Sequence, residues 1–400
     1  MLALMGVLLT PSISHAETVL PVSQDAWYEA PANLADLPNG SIIRSREVQL
    51  RHLAGWKWKV KSYQLLFRTN DRAGVPLATA TTVIVPNKRP ATGRNLVSYQ
   101  TAYDGLSEAC QPSWSLRTGR VALQGVETLP MSNILSRGWT VVTTDYEGPK
   151  NAWGVAGTTA HGVLDGIRAA EAFEPAGLTD GVKTKVGMVG YSGGGNATAW
   201  ANEYAPNYAP ELNIVGAAQG GVGPKLDRVV SALDGQLFAG IAFAGIIGVT
   251  SGYPEINLTD YLNDKGKRVY RELTSKRYSC ISDFVMKYPF WKFRDLLNGK
   301  DRGLLKSPKM LEIAAENSLG RWTPKAPVLW YQTRFDQMNG YWLTREVANG
   351  YCKAGHQVWF DSSAKEEHAM QAISRPFWAY DWLSLRFSGS PMKTNCDAIA

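Results

Sequence analysis

Apolar positions along this chain fall into two rhythms that take turns. Short runs rich in β-branched and small apolar residues recur at 95–99, 139–143, 185–189, 214–218, 327–331 and 357–360. Each is too short for a helix and is closed by turn-forming residues, as a buried strand is. Between most of them lie stretches of helical period, for example 162–173, 197–204 and 343–354. Strands that alternate with helices predict a mainly parallel sheet covered on both faces. Ahead of this series, apolar residues alternate with Lys and polar residues over 56–68, residues 71–74 supply a turn, and 75–85 is rich in β-branched residues. That is a hairpin signature and adds an antiparallel edge. Residues 17–45 are rich in Pro and Asn, have no clear period, and are expected to wrap the surface.

The alternation stops between 222 and 325, where helical patterns follow one another (226–233, 237–249, 258–273 and 284–297) without a convincing strand. A helical insertion between two sheet strands predicts a cap over the strand ends, where open α/β sheets bind ligands. The expected organisation is a core of 17–221 and 326–400 with the cap 222–325 inserted. Within the cap, 237–249 is wholly apolar, with Gly240, Ala244 and Gly248 four apart. At this length it cannot span a bilayer. It is either buried within its own subdomain, or its smooth face lines an acyl-chain tunnel or meets lipid when the cap opens.

Residues 1–16 read as the tail of a secretory signal, apolar from Leu2 to Leu9 with a cleavage site at Ser14-His15-Ala16. An exported chain, extracellular or periplasmic, follows. The cysteines Cys110, Cys280, Cys352 and Cys396 then predict two disulfides with three possible pairings, and their spacing does not fit zinc. No metal is expected. The net charge of +7 is scattered, the densest cluster being Lys265-Gly266-Lys267-Arg268. It favours solubility over nucleic-acid binding.

The stretch that carries chemistry is Gly190-Tyr191-Ser192-Gly193-Gly194, placed after the run 185–189 and before a helical segment. A sharp strand-to-helix turn of this kind lifts a serine hydroxyl clear of the sheet beside amides that stabilise negative charge, and it needs small neighbours. Ser192 is the candidate nucleophile. Of the five histidines, His15 leaves with the signal, His52 precedes the hairpin, His161 opens a helix, and His356 begins the last strand. His368 alone follows that strand, on the carboxyl edge shared with Ser192, and is the candidate base. Asp336 lies just beyond the carboxyl end of 327–331, on the same edge, and is the candidate orienting acid. Asp361, which ends the strand before His368, is the runner-up. The order Ser192, Asp336, His368 is that of α/β-hydrolases. One oxyanion amide is expected at Gly193, the residue after the nucleophile. A second is expected from the loop 99–105. Asp145 also ends a strand but precedes the nucleophile, which suggests a loop-fixing role.

The chain resembles the secretory lipases, the family that includes the yeast lipase A enzymes. The resemblance spans nearly the whole mature chain. It rests on Ser98-Tyr99-Gln100 through Asp104, Cys110-Gln111-Pro112-Ser113, Asp145-Tyr146-Glu147-Gly148, Leu164-Asp165-Gly166-Ile167-Arg168-Ala169 and Gly190-Tyr191-Ser192-Gly193-Gly194. It continues in Tyr351-Cys352-Lys353-Ala354-Gly355 through His368, and in Trp382-Leu383 and Arg386-Phe387-Ser388-Gly389. It implies an α/β-hydrolase fold with a helical cap and a triad of Ser192, Asp336 and His368. It further implies an oxyanion hole from the amides of Asp104 and Gly193, and disulfides Cys110–Cys280 and Cys352–Cys396. Around Asp336 the chain departs from the family, with neither a glycine before it nor a proline after it, and with Arg334 and Met338 at the mouth.

These readings converge on an exported serine carboxylic-ester hydrolase, lipase-like, acting on ester or lipid substrates without a cofactor and touching a lipid interface through its cap. A short-chain esterase or an acyltransferase shares every residue named. A serine peptidase needs acidic residues in the cap, where 226–250 is too apolar. A binding protein on an inactive scaffold is the non-enzyme alternative, and such proteins usually lose the nucleophile or the base.

Overall fold

The computed structural model describes residues 19–52, 55–88, 94–120, 122–275, 280–299 and 303–399; the expected signal segment 1–16 lies outside them. Nine strands form one sheet: β1 (Ile42–Glu47), β2 (Lys61–Asn70), β3 (Pro76–Val85), β4 (Leu96–Gln100), β5 (Thr140–Thr144), β6 (Val186–Tyr191), β7 (Ile214–Gly220), β8 (Val328–Tyr331) and β9 (Val358–Asp361). Their spatial order is β1-β2-β3-β5-β4-β6-β7-β8-β9. Strands β4 to β9 run parallel, and β1, β2 and β3 add an antiparallel edge. This is the mainly parallel sheet with an antiparallel edge expected from the alternating pattern, in the α/β-hydrolase architecture that the resemblance implies. β1 begins in the stretch 17–45 read as irregular and runs past its end. Its Arg44, Arg46 and Glu47 mask the alternation, as befits an edge strand that pairs on one side only.

The helices in chain order are α1 (Pro112–Thr118), α2 (Ala122–Ser136), α3 (Ala156–Ala172), α4 (Gly193–Tyr208), α5 (Leu226–Leu233), α6 (Ala239–Ser251), α7 (Asp264–Leu273), α8 (Ile281–Lys287), α9 (Pro308–Glu316), α10 (Tyr341–Lys353), α11 (His368–Ser374), α12 (Pro376–Phe387) and α13 (Cys396–Ile399). Because strand side chains alternate between faces, each strand feeds two cores. Val186 and Met188 of β6 pack towards α3 and α4, whereas Val189 packs with α2 and α12. The all-helical stretch α5–α9 lies between β7 and β8 and closes its own cluster around Val230, Leu233, Ile241, Phe243, Phe284 and Ile313. The pattern read as one helix over 284–297 is broken. α8 ends at Lys287, and a single 3-10 turn, Phe293–Leu296, follows Pro289.

The cysteines pair Cys110–Cys280 and Cys352–Cys396, the pairing the resemblance implies. The first ties the loop after β4 to the start of α8; the second ties α10 to α13. Closing long loops of this kind stabilises by restricting the unfolded chain. Among the described residues no helix is long and apolar enough to cross a membrane.

Candidate active site

Ser192 is the residue between β6 and α4. Its backbone sits at φ 55° and ψ −122°, a conformation that costs an L-residue of order 1–3 kcal/mol and persists only where the surroundings impose it. The surroundings here are hydrogen bonds from Ser192 N to Gly220 O of β7 (2.9 Å) and from Asn196 N to Ser192 O (2.9 Å). The glycines that follow have a steric cause. A Cβ at Gly193 would lie 1.7 Å from Asp104 Oδ1, and one at Gly194 would lie 2.0 Å from Gln100 O. α4 begins at Gly193, directly after the serine and not at 197, because these glycines let the first helical turn press against the end of β4.

His368 is the first residue of α11, with Glu367 capping the helix through the amides of Ala369 and Met370. Its ring is nearly buried and bridges two partners. Nδ1 lies 2.7 Å from Asp336 Oδ2, and Nε2 lies 2.9 Å from Ser192 Oγ. A carboxylate only accepts, so Nδ1 carries the proton, and Nε2 is left free to accept from the serine hydroxyl. Tyr191 OH donates to His368 O at 2.6 Å and fixes the loop from the side of Ser192.

The side chain of Asp336 is fully buried. Its Oδ1 accepts from the amides of Met338 (2.9 Å) and Asn339 (2.7 Å), and its Oδ2 accepts from Gln332 Nε2 (2.7 Å) as well as His368. Asp336 does not cap the next helix, since α10 starts at Tyr341 with Gly340 as its cap. Asp361 faces away from the imidazole: it lies 3.7 Å from Arg375 and accepts from Ser363 N.

Asp104 is buried at φ 30°, one of four non-glycine residues with positive φ among those described, and Ser192 is another. Its loop is held by Tyr146 OH donating to Thr101 O (2.6 Å) and by Glu147 N donating to Tyr103 OH (2.6 Å). Burial pushes the Asp104 carboxyl up to about 7, against the opposing pull of His368 and a hydrogen bond from Trp153. Its oxygen Oδ1 has no hydrogen-bond partner in the structure. Asp145 accepts from Ser113 N (2.9 Å) and Ser113 Oγ (2.5 Å), so it anchors the start of α1 and does not approach Ser192. Sequence reasoning missed Gln332, because a glutamine after a strand carries no signature of the carboxylate it will face.

Above Ser192 opens an apolar cavity walled by Trp153, Leu226, Val230, Ile241, Gly245 and Met338. Leu226 and Val230 come from α5 and Ile241 and Gly245 from α6, so the apolar stretch predicted for 237–249 is mostly buried and, at Ile241, Ala242, Gly245 and Val249, also lines the cavity. No group of three or more residues able to hold a metal ion occurs among the described residues.

A strained serine between strand and helix, joined through an imidazole to a buried acid on the same sheet edge, defines a member of the α/β-hydrolase class. The profile of the secretory lipase family matches residues 116–395. Lipase 4 of Candida albicans is 33% identical over 423 aligned residues, covering 100% of this chain and 89% of its own length. A probable inactive lipase of Mycobacterium tuberculosis is 34% identical over 377 residues, covering 92% of this chain and 83% of its own length. Among solved structures, Candida antarctica lipase A in its closed state superposes with a TM-score of 0.86 at 27% identity, covering 95% of this chain and 90% of its own. The chain belongs to the secretory lipase family.

Proposed function

We propose that the protein is an exported serine carboxylic-ester hydrolase that cleaves lipid esters through an acyl-enzyme on Ser192. The observation that carries this reading is the relay Ser192 Oγ–His368 Nε2 at 2.9 Å and His368 Nδ1–Asp336 Oδ2 at 2.7 Å. His368 takes the hydroxyl proton as Ser192 attacks the ester carbonyl, then passes it to the departing alcohol. Asp336 keeps the imidazole in the productive tautomer and stabilises the transient imidazolium. The amides of Gly193 and Asp104 receive the oxyanion. A second turn of the same cycle, with water in place of the alcohol, frees the acid.

In this reading residues 222–325 act as a helical cap on a core of 17–221 and 326–400. The cavity takes the acyl chain, because α5 and α6 line it with apolar side chains, Leu226, Val230 and Ile241 among them. The mycobacterial relative is described as inactive; in this chain an active relay is supported by His368 standing within hydrogen-bond distance of both Ser192 and Asp336.

The decisive test is Ser192→Ala. Turnover of p-nitrophenyl esters is expected to fall roughly 10⁴-fold or more, and labelling by a fluorophosphonate is expected to vanish with it. Hydrolysis surviving in that variant sinks the assignment. A rate profile from acetate to stearate esters, below and above substrate solubility, then separates a lipase from a short-chain esterase.

A further inference from the structure

Gln332 is fully buried at the end of β8, where its own amide N–H donates to Asp361 O at 2.9 Å and keeps its backbone in the sheet. Its side chain turns the other way and is almost fully engaged. Nε2 donates to Asp336 Oδ2 at 2.7 Å and to Asn339 O at 3.0 Å, and Oε1 accepts from Val222 N at 3.0 Å. Exchanging the amide oxygen and nitrogen would set an acceptor against a carboxylate and a carbonyl and a donor against an N–H. The orientation is therefore unique.

These bonds reach beyond the acid. Val222 is among the first residues after β7, where the helical insertion departs. The neighbouring Gly221 O accepts from Asn339 Nδ2 at 2.7 Å, and Asn339 N is one of the two donors to Asp336 Oδ1. Each oxygen of Asp336 is thus connected, through one residue, to the root of the insertion. Gly223 is held in turn by Asn196 of α4, whose side chain bonds both its N–H (2.9 Å) and its carbonyl (2.8 Å). Three consecutive residues at the root are tied to the loop of the acid or to the helix of the nucleophile.

We propose that Gln332 is a positioning residue of the hydrolytic relay: it fixes which oxygen Asp336 offers to His368 and links that oxygen to the root of the helical insertion. The proposal deepens the hydrolase reading and rests on it. A donor shared on Oδ2 holds the carboxylate against rotation and takes part of its negative charge, so its loss alters both the aim of the imidazole and its affinity for a proton. The titratable groups facing Gln332 are Asp336 and, through it, His368. Beyond them lie Glu367, bonded to Gln337, and the Asp361–Arg375 pair.

Two variants test this. Gln332→Met removes donor and acceptor at similar volume. It is expected to lower kcat about tenfold, the scale of one charge-assisted hydrogen bond, with KM nearly unchanged. Gln332→Glu keeps the shape. In its protonated form it still donates to Asp336 and still accepts from Val222; once ionised, it confronts Asp336 with a second negative charge. Its kcat is expected to approach the wild-type value at acidic pH and to fall by tenfold or more as the new carboxyl titrates, an ionisation the wild-type profile lacks. A role in packing alone cannot produce that rescue. A Gln332→Glu profile that keeps the wild-type shape, at full or uniformly reduced rate, overturns the proposal. This isosteric variant decides alone if Gln332→Met does not fold. If the wild type itself turns over no ester and takes no fluorophosphonate, the hydrolase reading fails separately. The positioning claim is then read from the downfield proton resonance of the His368–Asp336 hydrogen bond, which must show the added titration in Gln332→Glu and overturns the claim if it does not.

Discussion

The sheet and the helical stretch inserted between β7 and β8 bury their interiors by opposite rules. Under and around the sheet lie Asp104, Asp145, Glu147, Asp165, Glu171 and Glu203, all buried, and several with carboxyls raised by desolvation. Between 222 and 325 no Asp, Glu, Lys, Arg or His side chain is buried among the described residues. The polar ones that are, Thr250, Asn317 and Ser318, all bond to nearby groups. The sheet region spends part of its stability on groups whose direction matters, and the inserted helices rely on apolar contact, which has none. A relay of hydrogen bonds fails when its members shift by a fraction of an ångström. An apolar wall can slide over a substrate and keep most of its contact area. The disulfide Cys110–Cys280 spans the two regions.

The harshest way to break this contrast is to disturb direction without touching a reacting atom. In Gly193→Ala the new methyl would stand 1.7 Å from Asp104 Oδ1 and 2.4 Å from its Cγ. Asp104 has a short side chain, is buried, and is already strained at φ 30°, so it has little room to retreat. Both proposed oxyanion amides then move apart. Activity is expected to drop by about 10²–10³-fold, the cost of one lost oxyanion donor, while circular dichroism reports an intact sheet. A Gly193→Ala enzyme at wild-type rate would mean that the oxyanion is held elsewhere.

The same contrast explains what could be read without coordinates. The strand–serine–helix turn was legible because close approach demands glycines at fixed offsets, and Asp336 and His368 were legible because each follows a strand on one edge. α2 was not read, since Gly125 and Pro130 interrupt its period, and its Pro130 is tolerated inside the helix. The apolar run across 284–297 concealed a break, because hydropathy records burial but not the change of direction at Tyr288-Pro289. Gln332 and the raised Asp104 carboxyl were out of reach for a deeper reason: both depend on neighbours distant in the chain, Val222 to orient the Gln332 amide and the residues that bury Asp104, Gly193 among them.

An intermediate effect is expected from pH. Burial raises Asp104, Asp145 and Glu203 to about 7 and Glu171 to about 8, from ordinary values of 3.8 for Asp and 4.5 for Glu. Over that span the folded chain binds more protons than the unfolded one, so stability falls as pH rises and levels off once both states are ionised. His52, His161 and His356 act the other way, burial lowering each from 6.5, but only below that ordinary value. Between 6.5 and about 8 the carboxyls act alone, and the melting temperature is expected to decline across this window. Hydrogen exchange should locate the loss in β4–β7 and leave α5 and α6 unaffected. A melting temperature that climbs from pH 6.5 to 8 would contradict the assignment of these protons.

The smallest effect isolates the apolar wall. α6 contains three glycines in unlike surroundings. A Cβ at Gly240 would meet Phe284 O at 2.1 Å, and one at Gly248 would meet Trp153 O at 2.8 Å, whereas one at Gly245 meets nothing within 4 Å. Gly245 lies on the wall of the cavity above Ser192. Replacing a mid-helix glycine by alanine where there is room lowers the entropy of the unfolded chain, so Gly245→Ala is expected to stabilise by about 0.5–1 kcal/mol. The added methyl projects into the space assigned to the acyl chain, and the ratio of long- to short-chain ester turnover should fall severalfold while rates on acetate esters hold. Calorimetry and the acyl-length profile read the two outcomes independently. A variant that gains stability yet keeps its long-chain preference would remove the acyl chain from this wall, and it would leave the relay at Ser192 as the only part of the reading still standing.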